Sequence, residues 1–260
     1  MHRESHQTAG IEMWRVGPAP EMKAGEVHAW LADLNPSAAF VQQLAMTLSD
    51  DEQHRASRFH FERDRRRFVV ARGTLRLVLA EYLKRPPEEI QFFYEPAGKP
   101  YLRCSGSEPK VQFNVSHSQD TALIGICLEH RIGIDIEFKD PDRATLEVAR
   151  LFFAPEEIAA LADLPAKAQC DTFFAIWAMK EAYIKGRGEG VSLGLDTFAV
   201  TVDRNGRPTL LRSSHGKDET KRWRFWTIDA GSAYAAALAV EGAGDRRLSF
   251  WRAAFPGQGN

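Results

Sequence analysis

Cysteine is scarce in this chain: Cys104, Cys127 and Cys170 lie far apart and form no CxxC pair. An odd, scattered set makes neither a disulfide framework nor a zinc site, and it fits a reducing compartment with buried thiols. No apolar run reaches the eighteen or so residues of a membrane span. The stretch Met1 to Glu12 is polar and has no signal-peptide core, so a cytoplasmic protein without a membrane partner is expected. Neither sign of charge dominates. The 34 Lys and Arg against 35 Asp and Glu leave a formal net charge of −1, which argues against a dedicated nucleic-acid binder. There is no P-loop signature, no GxGxxG behind a strand and no GxSxG, so nucleotide-binding folds of those kinds and a serine hydrolase are not expected. His54 and His60 are six apart with no third ligand nearby and read as structural.

With 260 residues the chain is long enough for one sizeable core or two smaller ones. Residues 1–25 read as a lead-in punctuated by Gly17-Pro18-Ala19-Pro20, and Glu26 to Leu34 as a strand. Ser49-Asp50-Asp51-Glu52 is a capping box that starts a helix. Apolar residues Phe68, Val69, Leu75, Leu79 and Leu83 predict a long helix over Arg63–Arg85, closed by Pro86-Pro87. Short strands follow at Gln91–Tyr94 and Gln112–Val115, with a Gly98-Lys99-Pro100 turn between them, then strands at Ala122–Leu128 and Arg131–Phe138. Pro155 with Glu156 and Glu157 opens another helix. Phe173, Phe174, Trp177 and Ile184 mark a long helix over Asp171–Lys185, which Gly186, Gly188 and Gly190 stop and extend into a flexible loop. Asn205-Gly206 signals a hairpin, and strands come next at Trp223–Ile228 and Tyr234–Val240.

The two halves repeat one order of elements. The long helices match at an offset near 108, which sets Arg72 on Lys180 and Gly73 on Glu181. A duplicated α+β unit accounts for this better than one irregular domain. The expected units are residues 1–130 and 131–260, with the active cleft between them, where ligand sites tend to lie.

Four stretches carry chemistry. In Gly133-Ile134-Asp135-Ile136-Glu137 the strand alternation puts Ile134 and Ile136 on one face and Gly133, Asp135 and Glu137 on the other. Two carboxylates at that spacing are either a solvated face or a hard-cation site, since Mg²⁺ prefers carboxylate oxygens completed by water and phosphate. Gly133 would leave room for a bulky ligand beside the acids. Glu181 and Lys185, four apart, share one helix face. That pair is a surface ion pair unless Glu181 joins the two strand acids in one cation site. In Asn114-Val115-Ser116-His117-Ser118 a histidine sits between serines, either structural or offered to a phosphate. Arg63, Arg65, Arg66, Arg67, Arg72 and Arg76 form a solvated basic face or an anion site that Lys99 would join.

Taken together, Gly98-Lys99-Pro100, Phe113–Ser118, Gly133–Glu137 and Trp177-Ala178-Met179-Lys180-Glu181-Ala182-Tyr183-Ile184-Lys185 resemble the surfactin-synthetase-type 4'-phosphopantetheinyl transferases, in order and over roughly residues 48–241. The resemblance implies an α+β fold that is a pseudo-dimer of two similar subdomains, each a small, mainly antiparallel sheet on a long helix. It implies a monomer that transfers the 4'-phosphopantetheine arm of coenzyme A to a serine of an apo acyl or peptidyl carrier protein, releasing adenosine 3',5'-bisphosphate. By motif position Asp135, Glu137 and Glu181 would hold Mg²⁺, or Mn²⁺, which also accepts oxygen ligands. Glu181 as ligand or as general base stays open, and Lys185 would stabilise the leaving charge. Arg67, Arg72, Lys99, Ser116, His117 and Lys180 would contact phosphates or adenine, with Asp135 and Lys185 also touching coenzyme A. The helix from Ser49 and the loop Gly186–Gly194 would meet the carrier protein. Two other readings are a non-catalytic binding module for coenzyme A or carrier protein, and another Mg²⁺-dependent nucleotide transferase or hydrolase. Retention of the acids and of Lys185 argues against the first, and the whole motif set against the second.

Overall fold

The structure, a computed structural model, describes residues 15–103, 110–202, 206–242 and 244–253, with the side chains of residues 167, 191 and 192 left aside. In chain order the elements are β1 (Arg15–Val16), β2 (Glu26–Asp33), α1 (Ala38–Met46), α2 (Asp50–Ser57), α3 (Glu62–Leu83), β3 (Phe93–Tyr94), β4 (Pro100–Tyr101), β5 (Val111–Ser118), β6 (Thr121–Leu128) and β7 (Ile132–Phe138). They continue with α4 (Leu146–Phe152), α5 (Pro155–Ala162), α6 (Ala166–Arg187), β8 (Phe198–Val202), β9 (Pro208–Ser213), α7 (Glu219–Arg222), β10 (Trp223–Ile228), β11 (Tyr234–Glu241) and β12 (Arg247–Arg252). Among the described residues no helix is long and apolar enough to cross a membrane.

The chain divides into two units. The first contains residues 15–93, 101–129 and 246–253. Its sheet has the strand order β1-β12-β2-β6-β5, with β2, β6 and β5 antiparallel and β12 parallel to both β1 and β2. Helix α3 packs Leu75, Val78 and Leu79 against Trp30, Phe113, Ile124 and Ile126. The second unit contains residues 94–100 and 130–245. Its three-stranded antiparallel sheet runs β10-β11-β7, and α6 packs on it through a core that includes Phe173, Phe174, Met179, Tyr183 and Trp223. Each unit thus sets a 22-residue helix against antiparallel strands, which in the first unit are extended by the parallel β12 and β1.

The partition expected at residue 130 needs two corrections. Strand β12 belongs to the first unit because it pairs with β2, and residues 94–100 belong to the second. Of the predicted hairpin turn Asp203–Gly206, residues 203–205 lie outside the described residues, like Cys104 and the segment Met1–Glu12, although β8 and β9 do pair antiparallel. Of the other thiols, Cys127 is buried and Cys170 only half-buried. Gly186 does not end the second long helix, which runs on to Arg187 and stops at Gly188, φ 76°. In place of the loop expected from glycine content, the chain then forms two 3-10 turns, Gly190–Leu193 and Leu195–Thr197.

The ends of α3 and α6, Glu62 and Leu83 against Ala166 and Arg187, correspond at an offset of 104 rather than 108. One helical turn of slippage changes the equivalences: Arg76, not Arg72, matches Lys180. The shared job of these two residues is visible in their contacts. Arg76 is buried, and its Nε donates to Glu52 Oε2 at 2.7 Å while Nη1 donates to the carbonyls of Pro87 and Ile90. Lys180 is wholly buried, and its Nζ donates to Glu157 Oε1 at 2.7 Å and to the Phe198 carbonyl. Glu52 and Glu157 each occupy the third position of a short helix and accept the cap residue's own amide, that of Ser49 and of Ala154. Each acid therefore caps the start of a short helix and anchors the cation of the long one.

Lys180 is accordingly withdrawn from the expected contacts to phosphate or adenine: its ammonium is consumed inside the core. Burial pushes Lys180 down to about 8 and Glu157 up, and their mutual attraction is the largest effect opposing this. Removing one partner of such a pair strands the other in an apolar medium. Lys180→Met is therefore expected to cost about 3–5 kcal/mol in urea unfolding, and combining it with Glu157→Gln to return part of that loss.

Candidate active site

Strand β7 brings Gly133, Asp135 and Glu137 to one face, and that face lies under α6. A Cβ on Gly133 would sit 1.9 Å from the Ala182 carbonyl oxygen and 2.3 Å from the Gly186 amide. The glycine makes room for the helix backbone, not for a ligand, which corrects the expectation from sequence. Gly186 is pressed from the other side, since a Cβ there would meet the Trp223 ring at 2.6 Å. Gly133 excludes a side chain because the helix backbone touches it, and Gly186 because the Trp223 ring fills the space before it.

With the helix held so close, Lys185 Nζ reaches Asp135 Oδ1 at 2.5 Å. Asp135 is buried, whereas the Lys185 side chain keeps 29% of its surface exposed. Glu137, two residues beyond Asp135, and Glu181, one helical turn before Lys185, are both half-buried. The electrostatics tie the four together. Burial, then the neighbouring Asp135 and Glu181 charges, raise the Glu137 carboxyl to about 7, against the pull of Lys185 and Arg143. Burial also raises Glu181, opposed by Lys185 and assisted by Asp135. Burial alone would lower Lys185, but Asp135, Glu181 and Glu137 outweigh it and its ammonium is held above the usual range.

The four residues named from sequence thus share one electrostatic neighbourhood in the second unit. Three acids face one lysine and the weaker influence of Arg143, so the group carries uncompensated negative charge and hard oxygen donors. That donor chemistry suits a divalent cation. As the side chains stand, though, Lys185 takes the cation's place on Asp135, and among the described residues no three His, Cys, Asp or Glu are arranged to hold a metal ion.

The remaining candidates sort differently. Lys99 directs its ammonium at the carbonyls of Ile132, Lys185 and Gly186, at 2.8, 2.7 and 3.3 Å, and so at backbone where a phosphate was expected. Arg67 and His117 both stand at the β5–β6 turn of the first unit. Arg67 donates to Asp120 Oδ1 from Nε and Nη2, while His117 is exposed. Ser116 is buried on the opposite face of β5, as strand alternation requires, so it does not share a ligand face with His117. Arg72 faces elsewhere on α3, with its guanidinium 4.9 Å from the Phe92 ring centre and Nε 3.4 Å from Glu52. Sequence reasoning missed Arg143, whose influence on Glu137 has no signature in spacing, and Glu157, whose signal was the acid three residues after Ala154.

Comparison with known proteins agrees with the motif order. Residues 131–239 match the model of the 4'-phosphopantetheinyl transferase superfamily, and residues 32–127 that of the 4'-phosphopantetheinyl transferase N-terminal region. The 4'-phosphopantetheinyl transferase HetI of Nostoc sp. is 41% identical over 234 residues, 90% of this chain and 95% of that protein. The 4'-phosphopantetheinyl transferase Sfp of Bacillus subtilis is 31% identical over 74% of this chain and 82% of that one. Among solved structures, a holo-(acyl-carrier-protein) synthase from Bacillus anthracis in complex with coenzyme A is similar over 44% of this chain and 96% of that one, at 21% identity and a TM-score of 0.37, too slight a likeness to argue from.

The raised Glu137 carboxyl has a consequence for stability. Its ordinary value is 4.5 and its folded value about 7, so between the two the folded state holds the extra proton. Stability from this group is therefore present below about 4.5 and is lost as pH rises through about 7. The metal-free protein is expected to melt at a higher temperature at about pH 6 than at about pH 8, and Glu137→Gln to flatten that difference in a thermal scan.

Proposed function

The chain belongs to the 4'-phosphopantetheinyl transferase superfamily, and on that footing we propose how its residues carry out the reaction. It moves the 4'-phosphopantetheine arm of coenzyme A to a serine of an apo carrier protein. The serine oxygen forms a bond to the phosphorus that bears the pantetheine arm. The bond from that phosphorus to the bridging oxygen breaks, and adenosine 3',5'-bisphosphate leaves with the electron pair. The serine proton passes to a base.

Glu181 is the proposed base, directly or through a water, because its raised affinity for protons brings it nearer to neutral pH than a solvated glutamate. Lys185 is proposed to meet the charge that builds on the leaving phosphate, since its ammonium stays protonated and its side chain is partly exposed. Asp135 holds Lys185 in place and, with Glu137 and Glu181, makes up the oxygen donors that would hold Mg²⁺ or Mn²⁺. Such an ion, when bound, supplies charge neutralisation on the diphosphate. Arg67 and His117 are the proposed phosphate contacts of the first unit. The rest is positioning, which accounts for much of the barrier in reactions of this kind. We place the enzyme in the cytoplasm as a monomer that acts on an acyl or peptidyl carrier.

The observation that supports this assignment of roles is the ion pair of Lys185 on α6 with Asp135 on β7, with Glu137 and Glu181 half-buried beside it. Wild-type protein mixed with coenzyme A, Mg²⁺ and an apo carrier protein is expected to add the mass of one phosphopantetheine arm to the carrier. Asp135→Ala and Glu181→Ala are expected to lower the rate by at least about a hundredfold while circular dichroism stays unchanged. Normal turnover in either variant would remove these residues from the chemistry. Coenzyme A at about 100 times its Kd is expected to stabilise the fold by about 2.7 kcal/mol, read as a higher thermal midpoint. An unmoved midpoint would count against binding.

A further inference from the structure

Lys99 was expected to reach for a phosphate, yet its surroundings give it a different task. It belongs to the seven-residue stretch 94–100 that the chain lends to the second unit. That stretch is a tight turn: the Gly98 amide donates to the Glu95 carbonyl, the Glu95 amide donates to the Lys99 carbonyl, and Gly98 adopts φ 85°. The turn docks on the end of α6. Glu95 lies so close over Gly188 that a Cβ there would meet its carboxylate oxygen at 2.1 Å.

From this turn the Lys99 ammonium enters the crossing of α6 and β7. The three carbonyls it meets belong to Ile132, the residue before Gly133, and to Lys185 and Gly186 in the last turn of α6. The last carbonyls of a helix have no partner within it, and the negative end of the helix dipole points the same way, so a cation is favoured there. One of these carbonyls is the main chain of the very residue whose side chain reaches Asp135. The glycine contact at Gly133 lets the two backbones touch, but a contact without side chains does not fix how far the helix slides along the strand. A charged group bonded to both backbones does.

We propose that Lys99 is a positioning residue of the transfer reaction: by tying the carbonyls of Lys185 and Gly186 to that of Ile132, it sets the end of α6 on β7 and so holds the Lys185 ammonium at Asp135. This rests on the assignment of Lys185 to the reaction. A displacement of about 1 Å of a catalytic group is enough to cost about a hundredfold in rate, whereas a lost phosphate contact weakens binding.

The test uses the full chain carrying Lys99→Met, which keeps the stem and removes the donors, beside Lys99→Arg, which keeps a cation able to donate to carbonyls. With coenzyme A and an apo carrier protein, Lys99→Met is expected to lower kcat about 10- to 100-fold with KM for coenzyme A changed less than about twofold, and Lys99→Arg to recover most of kcat. Hydrogen exchange of the amides in the last turn of α6 is expected to quicken in Lys99→Met and not in Lys99→Arg. A raised KM at unchanged kcat would make Lys99 a direct coenzyme A contact and overturn the proposal, as would unchanged exchange. Should Lys99→Met fail to fold, Lys99→Gln carries the same comparison. A wild-type protein that transfers nothing would sink the assignment of function, while the exchange measurement would still judge the staple.

Discussion

A cation buried on a long helix is tolerable only against a buried carboxylate, and this chain meets that constraint twice. Arg76 with Glu52 and Lys180 with Glu157 lock α3 and α6 by the same device, each acid also capping the start of a short helix. Apolar packing alone leaves a helix some freedom to rotate, because one methyl group serves much like another. A charge that must meet one carboxylate removes that freedom. For α6 the rotation fixed in this way has a direct chemical effect. Once Lys180 points into the core, Glu181 is turned about 100° away and Lys185 lies a little over a turn further on. Both then face β7, where Asp135 and Glu137 stand. The structural lysine and the two residues proposed to act in the reaction belong to one short sequence because a single rotation has to satisfy them all.

The second requirement is closeness. With Gly133 and Gly186 at the crossing, no side chain keeps α6 away from β7, and the acids there are drawn into surroundings with little water. Attraction and repulsion between charges both grow under those conditions. That is why Glu137 and Glu181 are pushed toward neutrality while Lys185 is held charged. Hard oxygen donors gathered in such surroundings suit a divalent cation.

Much of this was legible in the sequence, for reasons that can be traced to single residues. Helical spacing located α3 and α6, the serine and glutamate at 49 and 52 located the start of α2, and alternation put Asp135 and Glu137 on one face of β7. These signals are local: each depends on residues within a few positions. The failures are equally consistent. Spacing states which way Gly133 points but not that α6 fills the space before it. It marks Lys180 as a cation without revealing that its partner sits 23 residues earlier at the head of another helix. Lys99 looked like a ligand because a lysine in an exposed-looking turn usually faces solvent, and the carbonyls it meets belong to residues 33, 86 and 87 positions later. The alignment of the two halves slipped by one turn for a related reason: a helix shifted by four residues shows nearly the same pattern.

Strand β12 lies beside β2 although more than 200 residues separate them. A chain leaving the ribosome has therefore made β2, α3, β5 and β6, and then the whole of residues 130–245, before the neighbour of β2 exists. Until that moment β2 has an unpaired edge, available to any other strand it meets. Closing so long a loop is slow compared with forming the local hairpins. The first half of the protein to be synthesised is thus the last to be finished, and the newly made chain depends at that stage on whatever shields the bare edge of its sheet.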